Sequence, residues 1–186
     1  WRKSRGGDEK FQGAVIDHCG HENTRVFRNV TRLGETLEKL SSAVGSETES
    51  RVAVIYDWEN GWAVNVFRGY NNIRRDYVKE CIKWYAPFYK RGFSIDIISM
   101  QDDYSKYDIV IAPFLYMLKD GTEKRIEEYV KNGGCFVATY LTGIVDSDDL
   151  CHLGGFPAAN LKEVFGIWCE ETDSLPEDIT GKAGFN

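Results

Sequence analysis

The sequence has no long hydrophobic run, no basic tract and no paired cysteines. Its uninterrupted apolar stretches are a few residues long, far short of the ~20 that a membrane-spanning helix needs, so no membrane is expected as a partner. Lys and Arg number 23 against 29 Asp and Glu, a net charge of −6. That balance lacks the electrostatic footprint of a nucleic-acid or anionic-surface binder. The five cysteines, Cys19, Cys81, Cys135, Cys151 and Cys169, show no C-x-x-C spacing and are too sparse for a disulfide scaffold. They read as free thiols in a reducing, cytoplasmic compartment. An initiator Met and a signal-like segment are also missing. The chain opens Trp1-Arg2-Lys3-Ser4-Arg5 and reads as a piece of something longer.

What is present is a chain of 186 residues, 42% hydrophobic and 13% aromatic, enough for a soluble domain with its own core. Residues 1–22 are rich in Gly, charge and His and read as loop, with Ala14-Val15-Ile16 as a short apolar stretch. Val26, Val30, Leu33, Leu37 and Leu40 then recur at steps of 4, 3, 4 and 3, the spacing of one helix face. An amphipathic helix is expected over about 24–42, capped by Thr24 or Asn23. The small, polar run 41–50 cannot offset its ordering entropy by burial and reads as a linker.

After the linker, apolar runs alternate with helical patterns. Val52–Tyr56, Phe93–Ser99, Ile109–Ala112 and Cys135–Tyr140 read as strands buried on both faces. Ile73–Tyr89 and Thr122–Lys131 read as helices, the second closed by Asn132-Gly133-Gly134. Alternation of this kind implies a parallel sheet wound by right-handed crossovers, and a flavodoxin-like α/β sandwich fits it best. Residues 141–186 are less regular, with a short helix expected at about 159–165 and a last strand at Ile167–Glu171.

Such sheets hold ligands or nucleophiles at the C-terminal ends of their strands. The first strand is followed by Asp57-Trp58-Glu59-Asn60-Gly61-Trp62, an acidic and bulky run unlike a phosphate cradle. No cofactor is expected. A nucleophilic cysteine would sit on the turn after the strand ending at Tyr140, but that turn reads Leu141-Thr142-Gly143, and Cys135 lies at the strand's other end. His18, His21 and His152 lack an adequate third metal ligand in the sequence. The pairs Asp102-Asp103, Asp148-Asp149 and Glu170-Glu171 read as solvated charges rather than a catalytic couple. Aromatic rings crowd residues 56–89. Trp58 and Trp62, read as loop residues at a strand end, together with Arg68, Tyr70, Arg74 and Arg75, have the composition of a protein–protein interface.

Several segments are familiar in sequence order. Trp1–Ala14 resembles the end of the catalytic barrel of the β-galactosidases of glycoside hydrolase family 42, and Thr24–Val30 resembles the helix after it. Arg51–Asn60, Ile111–Tyr116, Thr139–Asp146 and His152–Pro157 are similar to landmarks of that family's second, trimerisation domain. The resemblance implies a non-catalytic α/β domain with a class I glutamine amidotransferase-like sandwich and an empty nucleophile position. It also implies a homotrimer that shapes a galactoside pocket. The layout would be a barrel remnant with its following helix over 1–43, a linker over 44–50 and the trimerisation domain over 51–186. Both catalytic glutamates would precede residue 1, leaving no catalytic residue in the chain.

The family binds galactosyl hydroxyls with the Glu and His of a Glu-Lys-Phe-His motif. Glu9 matches that Glu, and Gln12 stands in place of the His; its amide can donate and accept hydrogen bonds but carries no charge. A second departure is Ala158-Ala159-Asn160, where the family tends to a Gly-Pro-Leu type of turn. On this reading residues 1–22 are irregular or packed on another chain. The alternatives are an independent amidotransferase-like enzyme with a reactive thiol, and a carbohydrate-binding module that stacks sugars on Trp58 and Trp62.

Overall fold

The structure, a computed structural model, describes residues 1–69 and 75–174. The chain divides into two compact units, Trp1–Glu47 and Thr48–Asn186.

In the first unit, residues 1–22 are irregular apart from one bridge and one turn. Arg2 and Ile16 form a single parallel bridge, made by the Lys3 N–H donating to the Ile16 carbonyl at 2.9 Å and the Ile16 N–H to the Trp1 carbonyl at 3.0 Å. A 3-10 turn spans Asp8–Phe11. Helix α1 covers Arg25–Lys39. Thr24 Oγ1 accepts from the Phe27 N–H at 3.2 Å, satisfying one of the orphan donors of the first turn. The helix stops before 42 because Leu40 leads into a 3-10 turn over Ser41–Ala43. The apolar face is where the sequence puts it, yet Val26, Val30, Leu33, Leu37 and Leu40 are 36% to 58% exposed. No residue from 1 to 49 is buried.

The second unit has a core. Its elements are β1 Val52–Ile55, α2 Trp58–Val66, α3 Tyr77–Tyr89, β2 Ile95–Ile98, β3 Ile109–Ala112, α4 Thr122–Lys131, β4 Cys135–Ala138 and α5 Leu161–Phe165. Among the described residues the strands form one sheet in the order β2-β1-β3-β4, and every pairing is parallel. Val52 lies opposite Ile95 on one side and Ile109 on the other. Because side chains alternate across a strand, β1 feeds two cores. Val52 and Val54 pack with Ile111 and the α3 residues Trp84, Tyr85 and Phe88. Ala53 and Ile55 pack with Ile126 and Tyr129 of α4 and Leu161 of α5. The sheet is therefore covered on both faces, which is why its strands read as unbroken apolar runs.

Helix ends follow from local chemistry. Asp76 caps α3 by accepting from the Lys79 N–H at 3.0 Å. After α4, the Gly133 N–H donates to the Val130 carbonyl and the Gly134 N–H to the Tyr129 carbonyl, both at 3.0 Å, the Schellman arrangement. Gly133 takes φ +91° there, and a Cβ on Gly134 would fall 2.2 Å from the Tyr129 ring.

Two sequence expectations are corrected. Trp58–Trp62 is not loop but the start of α2. This helix buries Asn60, Gly61, Ala63 and Val64 and turns its tryptophans outward, so the usual apolar-inward period is reversed. Ile167–Glu171 is not a strand; its one pairing is an isolated antiparallel bridge between Cys169 and Phe156.

Candidate functional site

In an open parallel sheet the ligand crevice lies beyond the strand ends where the winding reverses, here between β1 and β3. Asp57 follows β1 and is 4% exposed. Its Oδ1 accepts from the backbone N–H groups of Glu59 and Asn60, both at 3.1 Å, capping α2. Its Oδ2 accepts from Lys119 Nζ at 2.8 Å, and the same ammonium pairs with Glu59. Burial disfavours the charged Lys119, but the hydrogen bonds and charges of Asp57 and Glu59 outweigh it and hold the lysine above its ordinary pKa.

Asn60, fully buried, crosses to the loop after β3: its Nδ2 donates to the Phe114 carbonyl at 3.0 Å and its Oδ1 accepts from the Met117 N–H at 2.9 Å. The Phe114 N–H in turn donates to Thr139 Oγ1 at 2.7 Å. Tyr77 closes the cluster, accepting from the Asp57 N–H at 3.1 Å; burial pushes its phenol far above the usual range. Every polar group named here is bonded to another part of the fold. The arrangement can pin three loops together.

The turn after β4 carries no thiol and has one residue in a left-handed conformation. Leu141 takes φ +57°, a left-handed conformation that costs a residue with a Cβ of order 1 kcal/mol or more. Thr142 Oγ1 donates to the Thr139 carbonyl at 2.8 Å across that turn. The buried thiol, Cys81, sits on α3 with its Sγ 4.0 Å from the Ile55 carbonyl. Burial raises its pKa to about 11, the reverse of what activates a thiol. No group of His, Cys, Asp and Glu among the described residues has metal-binding geometry. No helix among them is long and apolar enough to cross a membrane.

Among the interface candidates, Trp58 and Trp62 share one exposed helix face. Trp58, Trp62 and Val66 follow at steps of four along α2 and are 61% to 71% exposed. On the neighbouring α3, Val78 and Ile82 are also exposed. Tyr56 anchors the start of the stripe, edge-on to Trp58 and stacked on Tyr77, with both ring pairs 5.2 Å apart. Arg75 stands 4.9 Å over the Phe67 ring and donates to the Arg68 carbonyl at 3.1 Å. Arg68 is exposed. Tyr70 and Arg74 lie outside the described residues.

Glu9 and Gln12 are brought together by the 3-10 turn, where the Gln12 N–H donates to the Glu9 carbonyl at 3.1 Å; both side chains are exposed. His18, read in the sequence as lacking an adequate third metal ligand, is a loop hydrogen-bonder whose Nε2 is 2.7 Å from the Lys10 carbonyl of that turn. Sequence reasoning missed Lys3, which pairs with Asp17 at 3.1 Å. The His18 N–H, and secondarily Lys3, hold the Asp17 carboxyl below its usual pKa. Sequence spacing alone carried no sign of either tie.

The fold and crevice define an α/β domain with a hydrogen-bonded polar cluster at its switch point and an exposed aromatic stripe. A family model described as "Beta-galactosidase trimerisation domain" matches residues 50–185, and one described as "Beta-galactosidase" matches residues 1–40. The chain belongs to this family, glycoside hydrolase family 42. It is 56% identical over 180 residues to β-galactosidase Pbg of Clostridium perfringens, covering 96% of this chain and 26% of that protein. It is 47% identical over 175 residues to β-galactosidase BglY of Alicyclobacillus acidocaldarius, covering 94% of this chain and 25% of that one. The crystal structure of β-galactosidase from Bacillus circulans sp. alkalophilus matches with a TM-score of 0.76 at 46% identity, over 96% of this chain and 26% of that one. The chain thus spans about a quarter of the length of these relatives.

Proposed function

We propose that this chain is the joining part of a β-galactosidase that hydrolyses terminal β-D-galactosides. Residues 1–43 complete the catalytic barrel, 44–50 link, and 51–186 assemble a homotrimer through the face of Trp58, Trp62, Arg68 and Tyr70. The observation that carries this reading is the α2 stripe, an apolar surface laid bare within the stretch that matches a trimerisation domain. Large exposed aromatic side chains at regular helical steps have the character of interface anchors. The bare apolar face of α1 supports the barrel half of the reading, since a barrel helix buries such a face on strands that other parts of the enzyme supply.

The order β2-β1-β3-β4 supports a flavodoxin-like sheet, being the first four positions of the order 2-1-3-4-5. The Leu141 turn supports an amidotransferase-like ancestry with the nucleophile position empty. Glu9 and Gln12, on one turn, would hydrogen-bond galactosyl hydroxyls in the whole enzyme. The chain alone performs no double displacement, because both glutamates that a retaining glycosidase needs would lie before residue 1. Five free cysteines support a reducing, cytoplasmic location.

Light scattering on the chain tests the assembly. The expected mass is three times 21.2 kDa, and replacing Trp58 and Trp62 together by Ala should shift it toward the single chain. A monomer at all concentrations would overturn the reading. Hydrolysis of a chromogenic galactoside by this chain would overturn its non-catalytic part.

A further inference from the structure

A side chain that hydrogen-bonds a sugar is only as well placed as the backbone that presents it. The turn Asp8–Phe11, which carries Glu9, has no buried residue and no side-chain cap, and so short a piece of 3-10 helix does not hold its shape unaided. Among the described residues one side chain from outside the turn bonds to it: His18, whose Nε2 lies 2.7 Å from the Lys10 carbonyl. We propose that His18 is a positioning residue for the galactoside contact, its Nε2–H fixing the Lys10 peptide and through it the places of Glu9 and Gln12. The inference rests on the sugar-contact reading of Glu9 and Gln12 above and adds to it the group that holds them.

The chemistry of that bond has one direction. A carbonyl oxygen only accepts, so Nε2 carries a proton whether the ring is neutral or charged. Lys10 lies between Glu9 and Gln12, and the Gln12 N–H closes the turn on the Glu9 carbonyl at 3.1 Å. Side chains three apart in a 3-10 turn eclipse one another, so one held peptide sets both Glu9 and Gln12.

His18 is held from behind. Its backbone N–H donates to Asp17 Oδ1 at 2.6 Å, and Lys3 Nζ donates to both oxygens of the same carboxylate, at 3.2 and 3.1 Å. The Lys3 side chain is 15% exposed, in a unit where no residue is fully buried. The Asp17 carbonyl accepts from the Gly20 N–H at 2.9 Å, and the bridge between Arg2 and Ile16 joins the two stems of the loop. A chain of bonds thus runs from the stem at Lys3 through Asp17 and His18 to the turn. On the barrel reading, residues 3–24 connect a strand to helix α1, and in a barrel such loops build the catalytic face. The tie therefore falls where placing a side chain matters to substrate.

Steady-state kinetics of the whole β-galactosidase on a chromogenic galactoside decide it. His18→Phe keeps a flat ring and removes the donor; His18→Gln restores an amide N–H at similar reach. His18 is exposed, and unchanged melting curves would show the fold intact. His18→Phe should lose about 10-fold in kcat/KM, mostly as a higher KM, the size of one weakened hydrogen bond. His18→Gln should stay within about 3-fold of the wild type. In a background of Glu9→Ala with Gln12→Ala, His18→Phe should cost less than about 2-fold, because the contacts it places are already gone. A merely structural tie would cost the same in both backgrounds. Wild-type kinetics for His18→Phe, equal losses for His18→Phe and His18→Gln, or equal losses in the two backgrounds would each overturn the positioning role. Wild-type kcat/KM for Glu9→Ala with Gln12→Ala would instead sink the sugar-contact reading beneath it. Should His18→Phe unfold, Asp17→Ala replaces it by removing the seat of the imidazole, and undiminished kcat/KM there would equally count against the role.

Discussion

Helices α1 and α4 are both amphipathic, capped and charged on their outer faces, yet they meet different fates. Helix α4 buries Thr122, Ile126 and Tyr129 beneath the sheet and α5, whereas α1 buries none of its 15 residues. The pattern of a helix states that an apolar partner exists; it does not state that the partner belongs to the same stretch of chain. In the second unit the strands supply that partner. In the first unit no residue from 1 to 49 is buried, and residues 1–40 match a family model described as "Beta-galactosidase".

The same deletion made in both helices should expose this contrast most strongly. Ile126→Ala is expected to cost about 3 kcal/mol of unfolding free energy, by lost burial and the cavity left behind. Leu33→Ala in α1 should change it by less than about 0.5 kcal/mol. Chemical denaturation of the two variants measures both; a comparable loss from Leu33→Ala would mean that α1 is covered after all. Asn60→Leu comes next. It strands the Phe114 carbonyl and the Met117 N–H, and about 3 kcal/mol should go from the second unit, read as a lower melting temperature. Gly134→Ala drives a Cβ into the Tyr129 ring and should cost about 2 kcal/mol.

The smallest effect is electrostatic. The Tyr107 hydroxyl, and then Ser50, hold the Asp96 carboxyl below its usual pKa of 3.8. An unfolded chain then binds the proton more readily than the folded one, so the contribution is present above the unfolded pKa and fades as pH falls through the lower, folded value. Denaturation midpoints followed downward from about pH 5 should decline less steeply for Asp96→Asn than for the wild type. Asp17, depressed by the His18 N–H and Lys3, lies in the unit without a core, and Asp17→Asn should leave that decline unaltered.

Much of the second unit is legible in the sequence because burial on both faces leaves unbroken β-branched runs: the run Ile109–Ala112 is β3 itself, and the ends of β1, β2 and β4 lie no more than two residues from those of their runs. Helix α2 is not. Its buried face is Asn60, Gly61, Ala63 and Val64, chosen for close approach to Tyr77 and for hydrogen bonds across the crevice rather than for hydrophobicity, so the period runs backwards. Asp57 two residues before Glu59 was the available cap sign. The supposed strand at 167–171 misled because an apolar pair followed by charge resembles a strand end, while a single bridge to Phe156 was all the backbone could form. At the site, the tryptophans and the missing thiol could be read from sequence. The crosslinks from Asn60 and Lys119 could not, since they join residues 54 to 62 positions apart.

Leu141 offers a last consequence for protein engineering. Its left-handed backbone is held by the packing of its side chain on the cluster of Phe114, Met117 and Val145. Leu141→Gly would relieve the backbone yet forfeit that burial and loosen the unfolded chain, and should lower rather than raise the melting temperature.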